Sequence, residues 1–183
     1  MRKVFKLSSG KTHSTAALVT LLPIAGFSIY LASQGFVEPA IGLTVGGVCG
    51  WLVTPDADVD GITHEEVRWF KINPLLGHVW HLFWWPYGKM FKHRGSSHII
   101  FWGTLTRILY IVATVTLGQL LWALCLDPNF IGADLFFVHL YNSFPYFCRA
   151  TYLAWSVQDA IHVIFDICST WLKRRRLLWH AHV

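Results

Sequence analysis

Charge is scarce in this chain: of its 183 residues, 14% are Asp, Glu, Lys or Arg, where an ordinary soluble domain carries roughly 25%. Cysteines number four, Cys49, Cys125, Cys148 and Cys168, scattered through apolar segments with no CxxC spacing. That distribution favours buried thiols over disulfides or zinc thiolates. No repeat or low-complexity tract is present, and the length fits one domain. The first long apolar stretch lacks a small-residue cleavage pattern and is followed by more apolar sequence, so it is expected to stay as a membrane anchor. The net charge of +5 calls for no specific nucleic-acid binding, because basic clusters facing anionic lipid account for it.

What the chain has in abundance is apolar length, with 54% hydrophobic residues. Residues 14–33, about 37–54, and 99–126 approach or exceed the roughly 20 residues that cross a hydrocarbon core. A fourth region, 135–172, is interrupted by Pro145 and Arg149 and reads as a short helix followed by a longer one over 150–172. The stretch 69–91, WFKINPLLGHVWHLFWWPYGKMF, is too polar to span. Its Trp69, Trp80, Trp84, Trp85 and Tyr87 favour the headgroup layer, which predicts an interfacial segment on the inner leaflet. The expected fold class is all-α: a polytopic membrane protein with about four membrane-embedded helical segments plus the interfacial segment. Residues 1–183 form one membrane-embedded metal-binding domain in this reading.

Basic residues set the orientation. Arg2, Lys3, Lys6 and Lys11 precede the first span, Arg68, Lys71, Lys89, Lys92 and Arg94 lie in the 55–98 loop, and Lys173 to Arg176 follow the last helix. The connections around Gly35 and Asn129 contain none. The positive-inside rule therefore predicts a cell inner or plasma membrane protein with both termini and the 55–98 loop in the cytoplasm.

Metal-type ligands gather on that same face. His13 sits at the start of the first span, Asp56 and Asp58 of Pro55-Asp56-Ala57-Asp58 at the end of the second, and His93 and His98 of His93-Arg94-Gly95-Ser96-Ser97-His98 at the start of the third. In the last helix His162 and Asp166 are spaced i, i+4 and share a face. Ionisable groups within a spanning helix are costly and point to a partner or a cavity. With the helix running back to Lys173, Asp166 lies about two turns below the boundary and His162 one turn deeper. Each residue has a plainer reading: a solvated acidic turn for the aspartates, a helix-start residue capped by Ser96 or Ser97 for His98, a hydrogen-bonded pair for His162 and Asp166. Their joint placement favours a metal site recessed into the inner half of the bilayer. His64 is a further candidate ligand from the loop, whereas His78 and His81 read as solvated or headgroup-facing.

These motifs carry a resemblance. Ser9-Gly10-Lys11-Thr12-His13, Pro55-Asp56-Ala57-Asp58, Trp85-Pro86-Tyr87-Gly88-Lys89 leading into the His93–His98 run, and Arg107-Ile108-Leu109-Tyr110 resemble the uncharacterised metal-binding membrane proteins of domain of unknown function 2227. The similarity covers about residues 8–112, and His162 with Asp166 resembles an H-x-x-x-D near that family's end. The same residues are distantly similar to inner-membrane metal-dependent hydrolases and to the zinc phospholipase C and P1 nuclease group. That resemblance implies His13, Asp56, His162 and Asp166 as ligands of a zinc cluster. The group's central H-x-x-x-D-x-x-x-x-x-H pattern is absent, with His93 and His98 its nearest equivalent, and metal number stays open.

The expected chemistry is hydrolysis of a phosphoester, with a phospholipid as one such substrate. Carboxylates and neutral imidazoles suit Zn²⁺, with Mn²⁺ or Fe²⁺ as alternatives. Arg94 offers a planar fork to a phosphate, and the N–H groups from Ser96 onward would open a helix whose positive end favours an anion. Asp58 would act as general base or, alternatively, orient a ligand histidine. The competing reading is a non-catalytic protein whose metal ties its helices together.

Overall fold

The computed structural model describes residues 10–58, 63–91, 95, 98–126 and 136–181, and among them every regular element is helical. The elements are α1 (Gly10–Ser33), α2 (Val37–Leu52), a 3-10 turn (Pro55–Asp58), α3 (His64–Ile72), α4 (Pro74–Met90), α5 (Trp102–Cys125), α6 (Phe136–Ser143) and α7 (Pro145–Ala181). By length and composition, two helical segments can cross a membrane, Ser14–Ser33 of α1 and Trp102–Cys125 of α5; α2 is apolar but shorter. The expected count of about four membrane segments thus has two long apolar helices behind it. The break in the fourth region falls at Pro145, which opens α7 instead of interrupting it, because proline lacks only an N–H that the first helical turn leaves unpaired anyway.

Glycine decides how the long helices meet. Gly35 ends α1 at φ +85, with Phe36 N–H donating to Leu31 O at 2.9 Å and Gly35 N–H to Ala32 O at 3.0 Å, the paired bonds of a Schellman cap. The chain then reverses into α2, which packs along α7. Gly42, Gly46 and Gly50 form one stripe of α2 at the contact. A Cβ at Gly46 would lie 2.2 Å from Thr151 O, and one at Gly42 2.4 Å from Phe147 O. Only glycine lets the two backbones approach this closely. Across the same bundle Gln158 of α7 reaches α1, donating to Ala17 O at 3.1 Å and accepting from Thr20 Oγ1 at 2.5 Å.

The segment expected to lie as one interfacial stretch is two helices. Asn73 ends α3 and begins α4, its Oδ1 accepting from Leu75 N–H at 2.8 Å with Pro74 in the first turn. Thr63 and Glu66 close a capping box at the start of α3. The aromatics divide between two environments. Trp85 is 52% exposed, whereas Trp84 and Tyr87 are buried with Trp155 and Val53 in the core cluster. Those two therefore depart from the expected headgroup position: they pack α4 against α5 and α7, with Tyr87 OH 2.9 Å from Thr106 Oγ1 and Trp155 Nε1 donating to Val53 O at 3.2 Å. His81 is likewise engaged, its Nδ1 2.9 Å from Glu66 Oε1, and His78 meets the Phe70 ring edge-on.

The third span begins later than residue 99. Residues 98–101 form a turn in which Phe101 takes φ 68, and α5 starts at Trp102. Gly103 N–H donates to Ile99 O at 2.8 Å and Tyr152 OH to Phe101 O at 3.1 Å, holding this uncommon backbone in place. The helix start expected from Ser96 onward is displaced, and His98 stands in the turn before α5.

Candidate metal centre

The 3-10 turn Pro55–Asp58 follows α2 where Trp155 grips Val53 O. A turn of this pitch sends Asp56 and Asp58 inward: Asp58 is 1% exposed, which contradicts a solvated acidic turn. The turn before α5 brings His98 to the same place, and α7 contributes His162, itself buried. One ligand atom from each of Asp56, His98 and His162 lies within 4.8 Å of the other two.

Both imidazoles approach one oxygen. His162 Nε2 is 3.5 Å and His98 Nε2 3.8 Å from Asp56 Oδ1, longer than a good hydrogen bond. Tetrahedral zinc with bonds of about 2.0–2.2 Å requires donor-to-donor edges of roughly 3.4 Å, so these separations suit a cation held between the donors. On the opposite edge of the His98 ring, Nδ1 lies 3.4 Å from Asp58 Oδ2, the carboxylate–histidine arrangement that fixes a ligand imidazole's tautomer. The donor set, one carboxylate oxygen and two imidazole nitrogens, fits a divalent metal.

The electrostatics agree. Burial alone would raise the Asp56 carboxyl, but hydrogen bonds and charge from His162 and His98 outweigh it and hold the group well below the usual carboxylate range. Burial alone would lower the His98 imidazole, but Asp56 and Asp58 outweigh it and push it up to about 9. The site is therefore built to concentrate positive charge.

Of the residues expected from sequence, Asp56, His98 and His162 come together, and Asp58 adjoins His98. Asp166, one turn farther along α7, is not among the three. His93 and Arg94 lie outside the described residues, as do the side chains of His13 and His64.

A neighbouring pair went unread in the sequence. Arg107 of α5 is 0% exposed; its Nη2 donates to Asp159 Oδ2, which also accepts from Thr104 Oγ1. Asp159 is one turn before His162 and within electrostatic reach of both His162 and His98. Tyr87 in turn feels Arg107, Asp58 and Asp159, so pair and cluster share one polar interior. The i, i+3 spacing of Asp159 and His162 was the available signal.

Among the described residues every regular element is helical, and three donors from the 3-10 turn, the turn before α5 and the long helix α7 are placed to hold one ion, as in a metal-binding protein. The chain belongs to the family described as uncharacterized metal-binding protein (DUF2227), whose match runs over residues 8–176. Among curated proteins and among solved structures, none matches it.

Proposed function

We propose that this chain is a membrane-embedded, metal-dependent hydrolase acting on a phosphoester, with a phospholipid as one such substrate, at the cytoplasmic face. The observation that supports catalysis best is a centre of three protein donors with one open flank. The Asp56 side chain is 23% exposed, whereas those of His98 and His162 are 9% and 4% exposed. Three protein ligands leave a position for water or substrate. A divalent ion there supplies Lewis acidity and brings the pKa of water toward about 7.

The chain's own residues would share the remaining work. Asp58, with no exposed side-chain surface and set against His98 Nδ1, orients that ligand and is better placed for this than for removing a proton from substrate. Arg94, four residues before His98 in sequence, supplies the guanidinium fork for a phosphate. Membrane embedding is supported by the two long apolar helices, of whose most apolar windows only 11% and 6% are buried inside the protein. Lipid is the natural cover for Leu22, Ile29, Leu117 and Leu124, each more than half exposed. The distribution of Lys and Arg in the sequence supports a cytoplasm-facing site.

One observation favours the non-catalytic alternative: the three donors come from separate chain segments, so a closed ion would also pin the fold. The assay that separates the two uses Zn²⁺- or Mn²⁺-loaded protein on phosphodiester and phospholipid substrates. Hydrolysis abolished by Asp56→Ala, and by Arg94→Lys with metal retained, is the expected result. A loaded wild type without phosphoesterase activity, together with unfolding on metal removal, overturns the hydrolase reading in favour of a structural ion.

A further inference from the structure

We infer that the centre holds a single divalent cation, because the Arg107 guanidinium holds the carboxylate that a second one would need. This rests on the metal-centre reading above and concerns only the number of ions. Asp159 has the features of another ligand: it is 3% exposed, stands on α7 one turn from His162, and its Oδ1 has no hydrogen-bond partner among the described residues. Its Oδ2, however, is taken by Arg107 Nη2 and Thr104 Oγ1. Arg107 is fully buried and leans toward the Trp155 ring at 5.9 Å, so its charge cannot be satisfied by solvent.

Charge balance leads to the same number. Asp56 at the open flank and the buried Asp58 and Asp159 bring three negative charges to the centre and its surroundings, and Arg107 brings one positive charge. Ligand histidines are neutral when they hold a metal. The two negative charges left over match one divalent ion, and a second ion would leave the buried group with excess positive charge, which a low-dielectric interior opposes. Arg107 is thus a positioning residue: it fixes Asp159, ties α5 to α7, and keeps that carboxylate from a second metal.

The test is Zn²⁺ stoichiometry of the purified full chain by elemental analysis, with affinity by chelator competition, for wild type, Arg107→Gln, Asp159→Asn and the double variant. One Zn²⁺ per wild-type chain is expected. Arg107→Gln, which keeps a donor for Asp159 but removes the cation, should bind Zn²⁺ about tenfold tighter or take up a second equivalent. Asp159→Asn should bind roughly tenfold weaker, and the double variant should return close to wild type. A merely structural role would weaken binding in both single variants. Two or more ions on the wild type, or weaker binding in Arg107→Gln, overturns the inference and leaves the metal centre standing. No Zn²⁺ on the wild type overturns the metal centre itself. Should Arg107→Gln fail to fold, the double variant still decides: affinity close to wild type supports the inference, and affinity as low as that of Asp159→Asn overturns it.

Discussion

His98 stands between two carboxylates, with Nδ1 3.4 Å from Asp58 Oδ2 and Nε2 3.8 Å from Asp56 Oδ1. One nitrogen of the ring faces the donor cluster and the other faces Asp58, so the proposed centre gives the two aspartates of a four-residue turn different tasks. Asp56→Ala should abolish stoichiometric metal binding. Asp58→Asn should keep the stoichiometry and weaken affinity by about 10- to 100-fold, the usual cost of losing a partner behind a ligand. Equal losses from the two substitutions in a chelator-competition titration would refute this division of labour.

His162→Ala should remove most bound metal, and Asp166→Ala far less, because only His162 lies within 4.8 Å of the other two donors. Elemental analysis of both variants checks this, with His139→Ala in α6, outside the three-donor group, as a control. Parallel loss in the two α7 variants would bring Asp166 into the site.

Chelator-stripped protein should show a stability plateau with two flanks. The folded pKa of His98 is raised to about 9 from 6.5, so its contribution is complete below about 6.5 and is lost as pH rises through about 9. That of Asp56 is lowered from 3.8, so its contribution is present above about 3.8 and is lost as pH falls through its depressed folded value. Metal affinity should run the other way on the alkaline side, increasing from pH 7 to 9 as the imidazole gives up its proton. Thermal unfolding against pH, with His98→Gln removing the alkaline flank, measures the effect. An unchanged alkaline flank in His98→Gln would assign it to another group.

How much of this was legible beforehand differs by residue. Hydropathy marked α1 and α5, and the side-chain types of Asp56, His98 and His162 marked three residues that the fold brings together, because scarce ionisable groups beside apolar runs need a partner wherever they fold. The burial of Trp84 and Tyr87 was not legible: a dense aromatic run suits a headgroup layer and a helix-packing core equally, and only the position of α5 and α7 against α4 decides between them. The Arg107–Asp159 pair joins residues 52 positions apart, a tertiary relation that no local spacing encodes. The helix start displaced to Trp102 reflects the turn that carries His98 to the aspartates, which overrides the helical preference of the apolar residues around it.

Gly46→Ala should destabilise the protein by about 1–3 kcal/mol or more, the cost of overpacking a close contact, because the added Cβ would meet Thr151 O at 2.2 Å. Gly118→Ala, with nothing within 4 Å, should be neutral or slightly stabilising through better helix propensity. Thermal unfolding of the two variants in the same detergent gives the comparison. Equal behaviour would mean that α2 and α7 do not meet at Gly46.

The central claim is that Asp56, His98 and His162 hold a divalent metal, and anomalous diffraction from crystals of the purified protein, recorded above and below the zinc edge, tests it most directly. The account predicts one peak about 2.0–2.2 Å from a carboxylate oxygen of Asp56 and from Nε2 of each of the two histidines. A map with no peak between those three residues from protein that carries stoichiometric zinc, or with its peak at other side chains, would contradict it.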